Sequence, residues 1–188
     1  MPDKNRFSTL RTLALIQCLT LCASAAIADP KADPKAPVAK LYVVPYAHLD
    51  TQWRWAYPQV IREFVASTLH DNFALIEKYP NYVFNFSGSR RYEFMKEYYP
   101  EDFEKLRGYV QAGRWFPCGS SVDENDANVP SSESFIRHIL YGNRYFQREF
   151  GVTSSEFMLP DCFGFPYALP TMLSYCGLKG FSTQKLTW

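Results

Sequence analysis

The sequence lacks an excess of charge of either sign. Its 188 residues include 20 basic and 19 acidic side chains, which give a formal net charge of +1. A balanced chain offers no electrostatic reason to expect nucleic acid or an anionic membrane surface as a partner. Charged residues make up only 21% of the chain, whereas aromatic residues make up 17%. This composition predicts one domain with a well-filled core, and it favours an aromatic-lined sugar cleft only weakly, because rings fill cores more often.

The sequence has no apolar run that would cross a membrane comfortably. The run at 13–26 is too short for a span, follows three basic residues and precedes the small-residue triplet A-I-A at 26–28. This arrangement predicts a secretory signal peptide over residues 1–28, cleaved before Asp29, and therefore a secreted or periplasmic protein. A lipoprotein signal ending at Cys22 fits less well because Leu21 precedes it, and an uncleaved anchor fits less well with the small-residue site.

Cysteine is also scarce after the signal peptide. Of five cysteines, Cys118, Cys162 and Cys176 remain in the mature chain, and none forms a C-x-x-C pair. An odd number without that spacing predicts neither a disulfide framework nor a zinc knuckle. These residues are expected to be small buried apolar groups, although one pair could be oxidised outside the cytoplasm.

The rest of the chain alternates between strand-like and helix-like segments. Residues 29–40 are polar, contain three prolines and predict a flexible leader. Strands are then predicted at 41–46, 82–86, 115–118, 156–159 and 180–183. Helices are predicted at 57–79, with one possible break, 91–99, 101–112, 132–150 and 170–176. This alternation predicts an α/β fold with a parallel sheet, either open or curled into a barrel. Because a fifth strand without its covering helix ends the sequence, we expect the chain to be the amino-terminal part of a longer protein.

Polar residues follow each predicted strand. Since the carboxyl ends of parallel strands meet at one rim, we expect these side chains to converge. They are His48, Asp50, Ser87, Asp123, Glu124, Asp126, Asp161 and Lys185.

Two features of this rim suggest chemistry, and each has a plainer explanation. His48 and Asp50 are two residues apart, so an extended backbone places both on one face, where nitrogen and oxygen ligands would suit zinc. The spacing alone favours a simple hydrogen-bonded strand end. Asp161 precedes a turn rich in glycine and proline, and could be a nucleophile, a base, a metal ligand or simply a turn residue.

Two further features are equally ambiguous. The acidic loop at 120–130, which carries Asp123, Glu124 and Asp126, would ordinarily be a solvated loop, but it ends at the same rim. Trp53 and Trp55 could stack on a sugar or pack between the strand and the next helix.

The order of four motifs is more specific than any one of them. A-H-L-D-T-Q-W occurs at 47–53, G-R-W-x-P-x-G at 113–119, N-x-P-S-x-E-S at 128–134, and L-P-D-x-F-G-F at 159–165, followed by G-L-K-G-F-S-T-Q-K-L at 177–186. In this order the motifs resemble the amino-terminal catalytic domain of glycoside hydrolase family 38, the α-mannosidases. The resemblance covers residues 41–188, is closer to the cytosolic and bacterial branch, and implies that this domain is incomplete.

The resemblance implies a distorted parallel β/α barrel of the seven-stranded type, truncated here after about the fifth strand. It implies one zinc ion and a retaining hydrolysis of terminal α-mannosides through a covalent mannosyl-enzyme. His48, Asp50 and Asp161 match metal ligands, and Asp161 also matches the nucleophile. Trp53, Lys185 and Asp126 are then expected at the substrate, a mannose-containing oligosaccharide or glycoprotein glycan.

The chain departs from the family pattern at three points. Many members have H-x-H-x-D, and Tyr46 stands at the first of these positions. Val122-Asp123 replaces a Trp-Val pair. The family's acid/base aspartate and last zinc-binding histidine fall beyond residue 188, so the isolated chain is expected to be inactive and to bind zinc weakly. Two alternatives stay open: a metal-dependent hydrolase resembling polysaccharide deacetylases, and a non-catalytic carbohydrate-binding remnant.

Overall fold

The structure is a computed structural model that describes residues 39–185. The predicted signal peptide, most of the predicted leader and the last three residues lie outside the described residues. The elements below all belong to one unit, Val43–Trp188. Within residues 39–185, no helix combines the length and apolar character that crossing a membrane requires.

The described elements follow the predicted alternation from the first helix onward. The helices are α1 (Tyr57–Gln59), α2 (Ala66–Lys78), α3 (Ser89–Tyr98), α4 (Pro100–Gln111), α5 (Ser132–Phe150) and α6 (Leu169–Tyr175). The strands are β1 (Phe84–Ser87), β2 (Trp115–Cys118), β3 (Glu156–Met158) and β4 (Gly180–Ser182). A π-helical segment, Val60–Val65, joins α1 to α2, so the predicted first helix changes its geometry without being interrupted.

The predicted first strand is wrong for most of its length. Leu41 to Val44 carry exposed side chains, and Leu41 is 88% exposed. Pairing is limited to a single parallel bridge between Tyr46 and Asn85, whose backbone N–H donates to the Pro45 carbonyl at 3.0 Å. The apolar run predicted a buried strand, but a run of apolar residues does not by itself supply a pairing partner.

The four strands form two separate parallel pairs. In the first pair, β1 lies beside β2 with Phe84 opposite Trp115, and in the second, β3 lies beside β4 with Glu156 opposite Gly180. The parallel α/β arrangement is confirmed, but no ladder joins the pairs within residues 39–185. A single continuous sheet is therefore not observed in the described part of the chain.

Helix α5 begins and ends at the residues that the sequence predicts, and its first cap is Ser131. The Ser131 hydroxyl accepts a hydrogen bond from the Ser134 backbone N–H at 3.2 Å, so the cap is one residue earlier than predicted. Gly151 ends the helix in the left-handed region, φ 72°, where glycine costs least. Between the caps, Phe135, Ile139 and Phe146 are buried along one face. The helix therefore contributes one apolar stripe to both core clusters, with Phe146 in the cluster of β1 and β2 and Phe135 and Ile139 in that of β3.

Aromatic side chains form most of the core beneath β1 and β2. The fully buried Trp115 ring lies edge-on to Phe84, with centroids 4.7 Å apart. Its indole N–H donates to the Tyr92 hydroxyl at 2.9 Å, and that hydroxyl donates to the Phe86 carbonyl at 2.8 Å. The core thus buries two polar groups only because each has a partner. A second apolar cluster packs α5 and α6 around β3.

The three cysteines in this part of the chain are free thiols. Cys118 and Cys162 are buried and Cys176 is partly exposed. The prediction of small apolar groups is confirmed for the first two.

Candidate metal and catalytic site

Three of the rim side chains present their ligand atoms to one point. His48 Nε2 lies 3.2 Å from Asp50 Oδ1 and 3.5 Å from Asp161 Oδ2. The three residues form a group that could hold a metal ion, with one ligand atom from each, all within 4.8 Å of one another. They border a cavity of about 210 Å³. The loop after the Tyr46 bridge and the turn after β3 therefore deliver one imidazole and two carboxylates to the same place.

Glu124 occupies the other nitrogen of the same imidazole. Its Oε2 lies 2.6 Å from His48 Nδ1, so the two ring nitrogens face different carboxylates. The hydrogen bond to Glu124 is the main reason that the pKa of His48 is raised above its ordinary value, although burial opposes it. Nε2 is therefore the nitrogen that is directed toward Asp50 and Asp161.

Glu124 is buried in a polar nest. Its Oε1 accepts hydrogen bonds from the Tyr46 hydroxyl and from Ser87 Oγ, the latter at 2.6 Å. Burial by itself would raise the pKa of this carboxyl, but the hydrogen bond to His48 and the nearby Arg91 charge outweigh it, so the pKa is lowered. Burial and the same carboxylate raise the pKa of Tyr46, which keeps its hydroxyl a donor.

Arg91 is the buried cation beneath this nest. Its side chain is fully buried and donates to the Leu49 carbonyl, from Nε at 3.0 Å, and to the Ser87 carbonyl, from Nη1 at 2.7 Å. It lies 3.2 Å from Asp123 Oδ1 and 3.6 Å from Glu124 Oε1. One guanidinium thus fixes the loops that carry His48, Ser87 and the acidic residues.

The acidic loop is held from below by α5. His138 Nε2 lies 2.6 Å from the Asp123 carbonyl oxygen, to which it donates as the Nε2–H tautomer. Gly142 passes so close to Ser121 that a Cβ on it would lie 2.3 Å from the Ser121 carbonyl carbon. Burial lowers the pKa of His138, so the contact is made by a neutral imidazole.

The two carboxylate oxygens of Asp161 face different groups: one faces the candidate metal site and the other faces a lysine. Oδ2 faces His48, whereas Oδ1 lies 2.6 Å from Lys185 Nζ. That ammonium also lies 5.0 Å from the centroid of the Phe163 ring, which borders the same cavity. The predicted nucleophile and Lys185 are therefore in direct contact.

The other two predicted substrate residues occupy different settings. Asp126 borders the cavity, and its Oδ1 accepts from the backbone N–H groups of Asn128 and Val129, which lower its pKa. Trp53 is 61% exposed, stacks under the Arg54 guanidinium and meets Trp55 edge-on. Trp55 instead packs against Phe64 and donates its indole N–H to the Asp50 carbonyl at 2.9 Å, as the packing alternative expects.

Sequence reasoning missed the tyrosine, the arginine and the specific role of the glutamate. In the sequence, Tyr46 stands out only as a departure from a motif, and Arg91 only as a residue near the start of a helix. Glu124 is one of three acids in a loop with no apolar pattern. The one available signal is the arginine's position, since a cation that follows a buried strand by four residues needs anionic partners.

The donor set fits a zinc ion. One imidazole nitrogen and two carboxylate oxygens are ligands that zinc accepts, and three protein ligands leave room for a further ligand or a substrate. The second imidazole nitrogen is occupied by a carboxylate, as is usual for histidines that bind metals. The geometry is therefore compatible with a metal-dependent hydrolytic site.

Comparison with protein families gives a match over all of the described residues. Residues 38–188 match the model of the glycosyl hydrolases family 38 N-terminal domain. Alpha-mannosidase G of Dictyostelium discoideum is 38% identical over 149 residues, which is 79% of this chain and 14% of that protein. Alpha-mannosidase of Saccharomyces cerevisiae is 34% identical over 152 residues, 80% of this chain and 14% of that protein.

A solved structure of an alpha-mannosidase is also similar to this chain. The crystal structure of an alpha-mannosidase from Enterococcus faecalis V583 superposes with a TM-score of 0.66 and 26% identity, covering 74% of this chain and 16% of that one. The chain therefore spans about 14% of the length of the curated relatives that it matches.

Proposed function

Because the chain belongs to glycosyl hydrolase family 38, we propose that the protein is a zinc-dependent α-mannosidase that removes terminal α-mannosyl residues from glycans. The observation that carries this proposal is the convergence of His48, Asp50 and Asp161, with ligand atoms within 4.8 Å of one another. The two similar curated relatives are named alpha-mannosidases. The proposal concerns the whole protein, of which this chain contributes one portion of the active site.

In this proposal, His48, Asp50 and Asp161 hold one zinc ion. When bound, the ion supplies Lewis-acid stabilisation to sugar hydroxyls as the ring distorts toward an oxocarbenium-like geometry. Four carboxylates border the cavity, those of Asp50, Glu124, Asp126 and Asp161, and Lys185 is the cation in contact with Asp161. A divalent cation is therefore electrostatically favoured there.

Asp161 acts as the nucleophile of a retaining reaction. Its carboxylate attacks the anomeric carbon, the glycosidic bond breaks, and a covalent mannosyl-enzyme forms, which water later hydrolyses. Lys185, 2.6 Å from Oδ1, fixes the carboxylate and compensates part of its charge. Asp126, at the edge of the cavity, and the exposed Trp53 are proposed to contact the sugar.

A retaining enzyme also needs a second carboxyl about 5 Å from the nucleophile, as acid and base. We assign this role, and the fourth metal ligand, to an aspartate and a histidine that follow residue 188 in the complete gene product, as the resemblance to the family implies. The domain over residues 41–188 is then incomplete by itself. Its strands would become part of a distorted β/α barrel only with the remaining sequence.

The complete gene product is expected to hydrolyse a nitrophenyl α-mannoside and to lose this activity in a zinc chelator. A 2-fluoro-mannosyl fluoride should label Asp161, which mass spectrometry of the peptide around it would detect. A deacetylase would instead release acetate from acetylated sugars without forming an adduct, and a binding remnant would retain glycan without hydrolysis. Either of these results would overturn the proposal.

The isolated 188-residue chain provides a second test. It is expected to hydrolyse the nitrophenyl substrate far more slowly than the complete protein and to bind zinc more weakly. A comparable rate from both would show that the chain contains its own acid/base residue.

The signal-peptide prediction leads to a proposal of export. We expect the mature protein to begin at Asp29 and to accumulate outside the cytoplasm, in the medium or the periplasm. Amino-terminal sequencing of the exported protein tests the cleavage site. A mature chain that begins at Cys22 would identify a lipoprotein instead.

A further inference from the structure

The orientation of His48 depends on a residue that is not a metal ligand. An imidazole can place its single proton on either ring nitrogen, and only the nitrogen without the proton can bind a metal. In this structure Nε2 faces Asp50 and Asp161, whereas Nδ1 lies 2.6 Å from Glu124 Oε2. A carboxylate at that distance accepts a hydrogen bond from Nδ1–H. The lone pair of Nε2 then remains available to bind a metal ion at the candidate site.

We propose that Glu124 is the positioning residue of this site, which holds His48 as the Nδ1–H tautomer and directs Nε2 toward Asp50 and Asp161. The inference rests on the metal site of the proposed function. It assigns Glu124 no contact with the substrate or with the metal.

Glu124 can do this because its own carboxylate is fixed. Its side chain is only 7% exposed, and its Oε1 accepts hydrogen bonds from Tyr46 and Ser87. Its Oε2 lies 2.6 Å from His48 Nδ1 and has no other partner within residues 39–185. One oxygen therefore anchors the carboxylate and the other remains for the imidazole.

The carboxylate is also fixed in space by Arg91. This fully buried guanidinium lies 3.6 Å from Glu124 Oε1 and donates to the carbonyls of Leu49 and Ser87. Because Leu49 adjoins His48 in the chain, the same cation positions the backbone of the imidazole and the carboxylate that orients it. The arrangement is a connected chain from Arg91 through Glu124 to His48.

A purely structural role predicts something different. If Glu124 served only to neutralise Arg91, its removal would lower the free energy of unfolding without changing the tautomer of His48. The other carboxylates that face His48, Asp50 in the same loop and Asp161 after β3, both lie on the Nε2 side. Without Glu124 they would attract the proton to Nε2, and a positioning role therefore predicts a change of tautomer.

The decisive variant is Glu124→Gln. Its amide oxygen is expected to keep the place beside Tyr46, Ser87 and Arg91, since an amide NH₂ would be repelled by the guanidinium. Its NH₂ then donates to His48 Nδ1, which forces the proton to Nε2. Long-range ¹H–¹⁵N spectra of metal-free protein at alkaline pH should show Nδ1–H in the wild type and Nε2–H in this variant.

Zinc affinity provides the second readout, measured with zinc ion alone against a chromophoric chelator in the complete gene product. Glu124→Gln and Glu124→Ala are expected to weaken zinc binding by about 10- to 100-fold, the usual effect of removing such a partner. The matched control is Glu133→Gln, because Glu133 is exposed on α5 and its ion-pair partner, Arg137, lies on the same helix. It should leave both readouts unchanged.

The outcomes separate this inference from the proposed function. A tautomer switch in a protein that does not hydrolyse mannosides would support the positioning role and contradict the activity. A hydrolytically active wild type whose Glu124→Gln variant keeps the Nδ1–H tautomer and its zinc affinity would overturn the positioning role alone. If neither variant folds, the wild type decides, because an Nε2–H tautomer in its metal-free form contradicts the inference.

Discussion

Glu149 and Glu124 are two buried carboxylates with opposite surroundings. The Glu149 side chain is 4% exposed and meets three cations, Lys96 at 2.8 Å, Arg107 at 2.6 Å and Arg148 at 2.9 Å. Glu124 is 7% exposed and has one arginine, at 3.6 Å, with two hydroxyls and an imidazole. The two carboxylates are similarly buried, but Glu149 is surrounded by an excess of positive charge, whereas most of the donors around Glu124 are neutral.

The two carboxylates differ in whether one of their oxygens orients another functional side chain. The cations around Glu149 come from α3, α4 and α5, and all three remain 31–66% exposed, so water still solvates them. That cluster connects helices and has no further partner to orient. Glu124 instead uses one oxygen for anchoring and directs the other to His48. A buried carboxylate can therefore serve stability or a site, depending on which donors surround it.

The largest effect is expected at the site itself, with Asp161→Asn. An amide is a poor nucleophile, so mannosidase activity of the complete gene product should fall by about 10⁴-fold or more. The free energy of unfolding of the metal-free protein should change little, because Asp161 is partly exposed.

The matched control for this variant is Asp102→Asn. Asp102 pairs with His70 on the surface and should leave the rate unchanged. Activity of Asp161→Asn within tenfold of the wild type would remove Asp161 from the chemistry.

The next largest effect is expected for Gly142→Ala, which tests the contact between helix α5 and the loop that leads to Glu124. Gly142 lies on α5, which carries Glu149, and its new Cβ would lie 2.3 Å from the Ser121 carbonyl carbon in the loop that leads to Glu124. Backbone on one side must move, so we expect a loss of about 2–3 kcal/mol in the free energy of unfolding, measured in denaturant.

Gly108→Ala is the control for that substitution. Gly108 lies inside α4, and a Cβ added to it would have no atom within 4 Å, so alanine should stabilise the helix by about 0.5–1 kcal/mol. Equal effects of the two alanines would show that the helix–loop contact is not tight.

A smaller loss is expected from Glu149→Gln, which leaves three cations around a neutral amide. We expect about 2 kcal/mol less stability at neutral pH, with zinc affinity unchanged. Burial alone would raise the pKa of Glu149, but the hydrogen bonds from Lys96 and Arg148 outweigh it and lower the pKa. Its contribution is therefore present above the carboxyl's ordinary pKa and is lost as pH falls through the lowered one.

Unfolding measured across acidic pH checks this dependence. The wild type and Glu149→Gln should differ most at neutral pH and converge in acid. A difference in stability between the two proteins that stays constant with pH would contradict the titration of Glu149. A fall in the zinc affinity of Glu149→Gln would show that Glu149, like Glu124, affects the metal site.

The smallest effect concerns His138, which supports the acidic loop from α5. Burial lowers its pKa, so the unfolded chain takes up a proton before the folded protein does, and stability falls as pH drops below the ordinary histidine value. His138→Gln should flatten this part of the pH profile by less than the Glu149 effect. An unchanged profile in this variant would assign the acid sensitivity to other groups.

The sequence by itself determined the local elements after the first predicted strand, and the family. Gly151 ends α5 as predicted and the cap, Ser131, lies one residue before the predicted one, while the alternation of short apolar runs with helical periodicity predicts the parallel strands of both pairs. It also predicted that His48, Asp50 and Asp161 would be neighbours, because polar residues at the carboxyl ends of parallel strands meet at one rim. These features depend on residues close together in the chain or on a rule of topology.

Only the tertiary structure decided which of these groups are buried and which partner each one has. Leu41 to Val44 form an apolar run and yet are exposed, since a run of letters does not specify what covers it. Glu124 reads as one acid of a solvated loop, and its burial comes from Tyr46, Ser87 and Arg91, which lie 33 to 78 residues away in the chain. Local periodicity carries no information about such distant partners, and they are the reason that Glu124 contacts His48 at all.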